Sequence, residues 1–220
     1  MIAMLGCGKD NNSNVSAQNV QLLIANLSPD LYPLEFYVNN VRQGSSTTYS
    51  FNNTPAYFSL STTNQSLAIR SSRVTGNLFR IDTTLRSDRR YSLFVVGMYA
   101  DSTYKRIFLP DDTAAVAPIG KGGRLRFVNG SPGTTSFDVW ANGTLAIKNI
   151  KFSAVSPYIT LPAGSYTFRV FAAGTSKTEL ASTPYITIQD GRLYTLYSKG
   201  IPNRPATDSA RLSLAYILNN

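Results

Sequence analysis

The chain has 220 residues, 43% of them hydrophobic and 15% charged, enough for two domains of about 100 residues that each bury a core. Its formal charge is +9, and eight of its 21 basic residues (Arg70, Arg73, Arg80, Arg86, Arg89, Arg90, Lys105 and Arg106) fall within residues 66–106, against Asp82, Asp88 and Asp101. Histidine is absent and Cys7 is the single cysteine, which excludes an intramolecular disulfide, a Cys/His metal site, and Ser-His-Asp or Cys-His catalysis.

Residues 1–19 read MIAMLGCGKDNNSNVSAQN. Met4-Leu5-Gly6-Cys7 resembles the end of a bacterial lipobox, in which a small residue precedes the cysteine that is lipid-modified after cleavage. The polar run Gly8–Asn19 has the composition of a tether with a reach of about 20 Å. Six residues precede Cys7, with neither a charged nor a long apolar region among them, so a truncated lipoprotein signal is expected. Lipidation at Cys7 makes a membrane the first expected partner.

From residue 20 onward short apolar runs alternate with turn residues. The first half offers VQLLIAN, LEFYV, YFSL, SLAIR, LFRID, YSLFVVGMY and KRIFL. The second offers LRFVN, FDVWA, LAIKN, YITL, SYTFRVFAA, YITI, LYTLYS and RLSLAYIL. Between runs stand Ser131-Pro132-Gly133, Pro162-Ala163-Gly164 and Asp190-Gly191. Asn142-Gly143 predicts a tight hairpin. No window keeps a helical period for three turns, and no run approaches the roughly 20 apolar residues of a membrane-spanning helix.

The two halves are copies. NLSPDLYPLEFYVNN at 26–40 aligns without a gap on NGSPGTTSFDVWANG at 129–143, an offset of 103. Phe51 and Tyr57 match Phe152 and Tyr158 at offset 101, and Tyr91-Ser92-Leu93 returns to 103 against Tyr194-Thr195-Leu196. The expected organisation is a signal and tether over 1–19, a first repeat over 20–112, a linker over 113–122 and a second repeat over 123–220. About seven short strands per repeat predict an all-β chain of two tandem immunoglobulin-like antiparallel β-sandwiches. The short connector predicts domains lying close together, end to end.

In each aligned stretch Leu34, Phe36 and Val38, or Phe137, Val139 and Ala141, point to one face, and Glu35 and Tyr37, or Asp138 and Trp140, to the other. A carboxylate beside an outward aromatic ring is what a sugar site needs: the ring packs on the apolar face of a pyranose and the carboxylate accepts hydroxyl hydrogen bonds. The same arrangement also serves packing. Tyr37, Trp140, Glu35 and Asp138 are therefore the candidate ligand-binding residues. As catalytic carboxylates Glu35 and Asp138 are poor candidates, because nothing in the pattern brings two different repeats to the separation that glycoside hydrolysis requires. Asn-x-Ser-Pro at Asn26 and Asn129 reads as a side chain folding back on its own backbone. Asp82-Thr83-Thr84, Asp101-Ser102-Thr103, Asp112-Thr113-Ala114 and Asp208-Ser209-Ala210 resemble an O-glycosylation sequon of exported bacterial proteins, and Asp-Ser/Thr also simply makes turns.

The order RLRFVNGSP, FDVWANG, VSPYITLPAGSYTFRVFAAGT and an aspartate-glycine turn into LYTLYSKG resembles the bacterial domain-of-unknown-function family forty-three ninety-seven. The first repeat keeps NLSP, LEFYVNN and YSLFVVG but has STTNQSL in place of the PAGSY turn. The resemblance implies tandem β-sandwich modules of secreted or surface lipoproteins and carries over no catalytic residue. The functional expectation is a non-enzymatic, lipid-anchored envelope protein, an outer-membrane lipoprotein acting in display, adhesion or binding. No cofactor, no metal and no nucleic acid is expected, and a polysaccharide or another envelope protein is the expected partner. The alternatives are glycan recognition through Tyr37, Trp140 and the arginine-rich face, and a carboxylate-based hydrolase at the domain junction.

Overall fold

A computed structural model describes residues 20–44, 46–60, 65–87, 89–111 and 119–219. Cys7, the tether, Asp112-Thr113-Ala114 and most of the linker lie outside the described residues. The described chain is all-β, with eighteen strands and no helix.

The first half contributes β1 (Val20–Asn26), β2 (Leu34–Val38), β3 (Val41–Arg42), β4 (Tyr57–Leu60), β5 (Leu67–Ser71), β6 (Phe79–Ile81), β7 (Arg90–Val96) and β8 (Lys105–Asp111). They form two four-stranded sheets, ordered β4-β1-β7-β8 and β3-β2-β5-β6. The second half contributes β9 (Gly123–Asn129), β10 (Ser136–Ala141), β11 (Thr144–Lys151), β12 (Ile159–Leu161), β13 (Gly164–Tyr166), β14 (Phe168–Ala172), β15 (Ala181–Ser182), β16 (Ile186–Ile188), β17 (Leu193–Lys199) and β18 (Ser213–Leu218). They form sheets ordered β12-β9-β17-β18 and β11-β10-β14-β15, with β13-β16 as a separate pair. Each half is a β-sandwich, as the alternating pattern predicts. Among the antiparallel pairs, each sandwich also carries one parallel pair, β1 with β7 and β9 with β17.

Turn chemistry acts where the sequence places it. Asn142 and Gly143 both take positive φ, 48° and 82°, and close the β10–β11 hairpin. Asn39 and Asn40, at φ 49° and 65°, do the same between β2 and β3. SYTFRVFAA, expected as one strand, is two: Asn142 donates through Nδ2 to Ser165 O (3.0 Å) and accepts from Thr167 N (2.9 Å), and the chain changes sheets there.

Each sandwich has its own core, around Ile24, Phe36, Ile69 and Leu93 in the first and around Phe127, Phe137, Phe168 and Leu196 in the second. A third core joins them. Leu23, Ala25, Leu27, Phe94, Val96 and Ile107 of the first half pack on Val128, Tyr197 and Ile217 of the second. These residues occupy the faces of β1, β7, β8, β9, β17 and β18 turned away from the sandwich interiors, so the two inner sheets lie face to face and the stack has four layers. This corrects the end-to-end expectation. The physical reason is that β1 and β7 are buried on both faces, and a strand so buried loses polar alternation. Gly130 sits in this seam, where a Cβ would lie 2.6 Å from Leu27 Cδ1 and 3.3 Å from Val96 Cγ1, so the close approach of the halves needs a residue with no side chain.

Candidate functional site

The four candidate ligand residues lie on the outward faces of the two outer sheets, at opposite ends of the four-layer stack. Glu35 and Asp138 are therefore separated by both inner sheets and do not meet. In the first sandwich the Tyr37 hydroxyl donates to Glu35 Oε2 (2.9 Å), Arg42 pairs with Glu35 Oε1 (3.2 Å), and the Arg70 guanidinium covers the Tyr37 ring at 4.0 Å. Arg70 is itself held by Asn77 Oδ1 (2.8 Å) and Asn40 Oδ1 (3.2 Å). In the second sandwich Asp138 is buried, and its two oxygens accept from Asn149 N (2.7 Å) and Gly174 N (2.8 Å). Its carboxylate thus braces the irregularity in the β10–β11 pairing and the turn after β14. Trp140 is half-buried and meets Phe171 edge-on at 5.8 Å, and its enclosed Nε1 has no hydrogen-bond partner among the described residues.

The remaining motifs turn inward on the backbone. Asn26 Oδ1 accepts from Ser28 N (3.0 Å) and Asn129 Oδ1 from Ser131 N (3.2 Å). Asp101 and Asp208 accept from the amides of Thr103 (3.1 Å) and Ala210 (2.8 Å), so both triplets form turns. Asp190 accepts from Gly120 N and Gly122 N, and those two bonds, Gly120 first, lower its pKa below the ordinary carboxylate value.

The most connected polar constellation sits in the junction, where no motif pointed. Asp111, at the end of β8, is 1% exposed and Arg126, in β9, is 4% exposed. Arg126 Nη2 pairs with Asp111 Oδ1, and Nη1 donates to Pro110 O (3.2 Å). Arg126 Nε donates to Thr195 Oγ1 (2.9 Å), Thr195 to Asn219 Oδ1 (2.7 Å), Asn219 Nδ2 to the Tyr57 hydroxyl (2.9 Å), and Tyr57 to Asp111 Oδ2 (2.6 Å). The ring closes on itself, and Ser92 adds a bond to Asp111 Oδ2 (2.8 Å). Burial first, then the charge of Asp111 and its hydrogen bond, push the Tyr57 hydroxyl far above its ordinary value. A closed ring of satisfied groups holds two domains in register and leaves no group over for a substrate.

A second tie crosses the junction beside it. Lys199 Nζ donates to Phe51 O (2.9 Å) and lies 4.7 Å above the Phe51 ring, and burial lowers its pKa below the ordinary ammonium value. Next to Phe51, residues 43–44, residues 47–58 and β1 enclose a cleft of about 390 Å³ in the first sandwich.

Burial also raises two other tyrosines, Tyr49 at the cleft and Tyr197 in the shared core, to about 12 each. A folded-state value above the unfolded one near 10 means stability is intact below that pH and is lost as the pH rises toward 12. Urea midpoints should therefore fall through this window. In Tyr197→Phe the fall should be shallower by on the order of 2 kcal/mol, with little change at neutral pH. Equal slopes in both proteins would show that Tyr197 does not contribute.

Fold and constellation together define a class: tandem β-sandwiches fused through a buried, internally satisfied junction. Residues 123–210 match the family described as Domain of unknown function (DUF4397), a span that runs from β9 through β17 of the second sandwich and ends before β18. No curated protein matches the chain.

Proposed function

We propose that this chain is a non-enzymatic binding module of the bacterial envelope, anchored by lipid at Cys7 and presenting two fused sandwiches as one rigid body. The observation that carries this reading is the filled junction. Two-domain enzymes commonly place a catalytic cleft between domains, whereas here that space holds an apolar core and a closed polar ring. The carboxylate a junction hydrolase would use, Asp111, is ion-paired and sealed from solvent. A rigid body with its recognition surfaces outside suits display, adhesion or binding. The lipobox-like Met4–Cys7 and the polar run behind it supply the anchor and tether.

The anchor is tested by growing cells on an alkyne palmitate with the gene at its native locus. The wild-type protein should take up label and fractionate with membranes, and Cys7→Ser should do neither. Label absent from the wild type, or equal in both forms, overturns the anchor.

A further inference from the structure

We propose that the cleft between β1, residues 43–44 and residues 47–58 of the first sandwich binds a neutral saccharide. This deepens the binding-module reading and rests on it, though not on the lipid anchor.

The duplication supplies an internal comparison. In the second sandwich the segment after β11 closes against β9: Asn129 N donates to Ala154 O (3.0 Å), Ser153 N to Asn129 O (2.9 Å), Ser156 N to Phe127 O (2.9 Å), and Val155 bridges Val128. The corresponding segment of the first sandwich, residues 51–56, makes no hydrogen bond to the Asn26 main chain among the described residues. Gln21 and Leu27 direct their amides toward the β7 side, to Arg89 O (3.0 Å) and Val95 O (2.7 Å). Alternation along β1 then turns the Asn26 N–H and C=O the other way, into the cleft. Asn26 is 3% exposed, so these main-chain groups need a partner, which the second repeat has and which the first shows nowhere among the described residues.

The loop is held off β1 from both sides. Lys199 of the second sandwich grips Phe51, while Asn53 N bonds Ser50 O (3.1 Å) and Asn53 Nδ2 bonds Thr48 O (3.3 Å). The cleft is thus preformed, which removes an ordering cost from binding. Its volume, about 390 Å³, falls within the range of small-ligand sites.

The lining selects the ligand class. Gln43 and Asn53 offer amide oxygens and Thr48 a hydroxyl, Tyr49 and Phe58 offer rings, and among the described residues no charged side chain lines the cleft. The Tyr49 hydroxyl has no hydrogen-bond partner among the described residues, and as a phenol it is protonated at neutral pH and able to donate. Neutral donors and acceptors on an apolar wall match a sugar, whose ring has C–H faces and a hydroxyl rim. Arg42 reaches the Thr47 carbonyl at the rim (3.4 Å) but is paired with Glu35 (3.2 Å), so an anionic sugar finds no unpaired counter-charge among the described lining residues.

The test is amide-resolved NMR titration of the full chain with cellotriose, maltotriose and chitotriose, with trigalacturonate and an extended neutral peptide as comparators. One neutral trisaccharide should give saturable shifts at Asn26, Thr48 and Asn53. Tyr49→Phe should weaken it about tenfold, and Thr48→Arg, which fills the cleft, should abolish it while the rest of the spectrum is kept. Silence of all three neutral sugars, equal response to trigalacturonate, shifts confined to the Tyr37 or Trp140 faces, or peptide binding in the cleft overturns the proposal. Cleavage of a bound trisaccharide during the titration would overturn the non-enzymatic reading and leave the site standing.

Discussion

Replacing Arg126 with leucine should destabilise the protein by about 3–5 kcal/mol, because it strips the ion partner from a carboxylate that has no access to water. Asp111 would keep the Tyr57 and Ser92 hydroxyls at 2.6 and 2.8 Å, which stabilise but do not neutralise it. Thr195 would lose the guanidinium at 2.9 Å, so the ring would open at two points. Asp111→Leu leaves the converse, a buried guanidinium, and should cost a similar amount. The double replacement Asp111→Leu/Arg126→Leu removes both charges and should recover a substantial part of the loss. That pattern, read as a coupling energy from guanidinium unfolding of the four proteins, separates a true buried pair from two independent packing effects. Simple additivity, or a single-mutant cost under about 1 kcal/mol, would mean that the ring contributes little. The pair also explains how two copies of one domain recognise each other. Where β1 has Leu23, β9 has Arg126, and where β8 ends in Asp111, β18 is followed by Asn219. After duplication one repeat carries the cation and the other the anion, so the contact favours unlike partners over a second copy of either half.

The strands were legible because apolar residues alternate in them and Asn-Gly, Asp-Gly and Pro-rich tetrads separate them. The duplication was legible because turn residues and core residues repeat together. The mode of stacking was misread as end to end from the short connector, although the consecutive apolar residues of VQLLIAN and YSLFVV are ones a strand half-exposed to water would not carry. The junction ring was not legible. Its members come from β4, β8, β9, β17 and the residue after β18, and only the substitution of arginine for leucine between matched strands hinted at it. Asp138 and Glu35 looked equivalent in alignment, yet backbone amides at Asn149 and Gly174 bury one while Arg42 and Tyr37 hold the other at the surface. The partners of Glu35 are near neighbours in the chain, but Asp138 is closed in by Gly174 from 36 residues away, which local spacing does not show. The cleft was hidden for the same reason. It arises from how residues 51–56 fail to close on β1, which no composition encodes.

The shared core makes a further prediction of comparable size. Phe94 is fully buried in it and meets Tyr197 of the other half at 5.9 Å, so Phe94→Ala should cost about 3–5 kcal/mol through lost burial and the cavity left behind. Phe36→Ala is the control: Phe36 is as buried but belongs to the first sandwich's own core. Both should lower the melting temperature, but they should differ in shape. The wild type should unfold in one calorimetric transition, since neither inner sheet can expose its outer face without the other losing its cover. Phe36→Ala should lower that transition and keep it single. Phe94→Ala weakens the coupling itself and should split it into two, one per sandwich. Coincident transitions in Phe94→Ala would place the coupling elsewhere, in the Arg126 ring or the Lys199 clasp. Because that clasp holds the cleft wall from across the junction, uncoupling the sandwiches should also loosen residues 51–56. Saccharide affinity should then fall in Phe94→Ala although Phe94 does not line the cleft, and should be retained in Phe36→Ala wherever that variant remains folded.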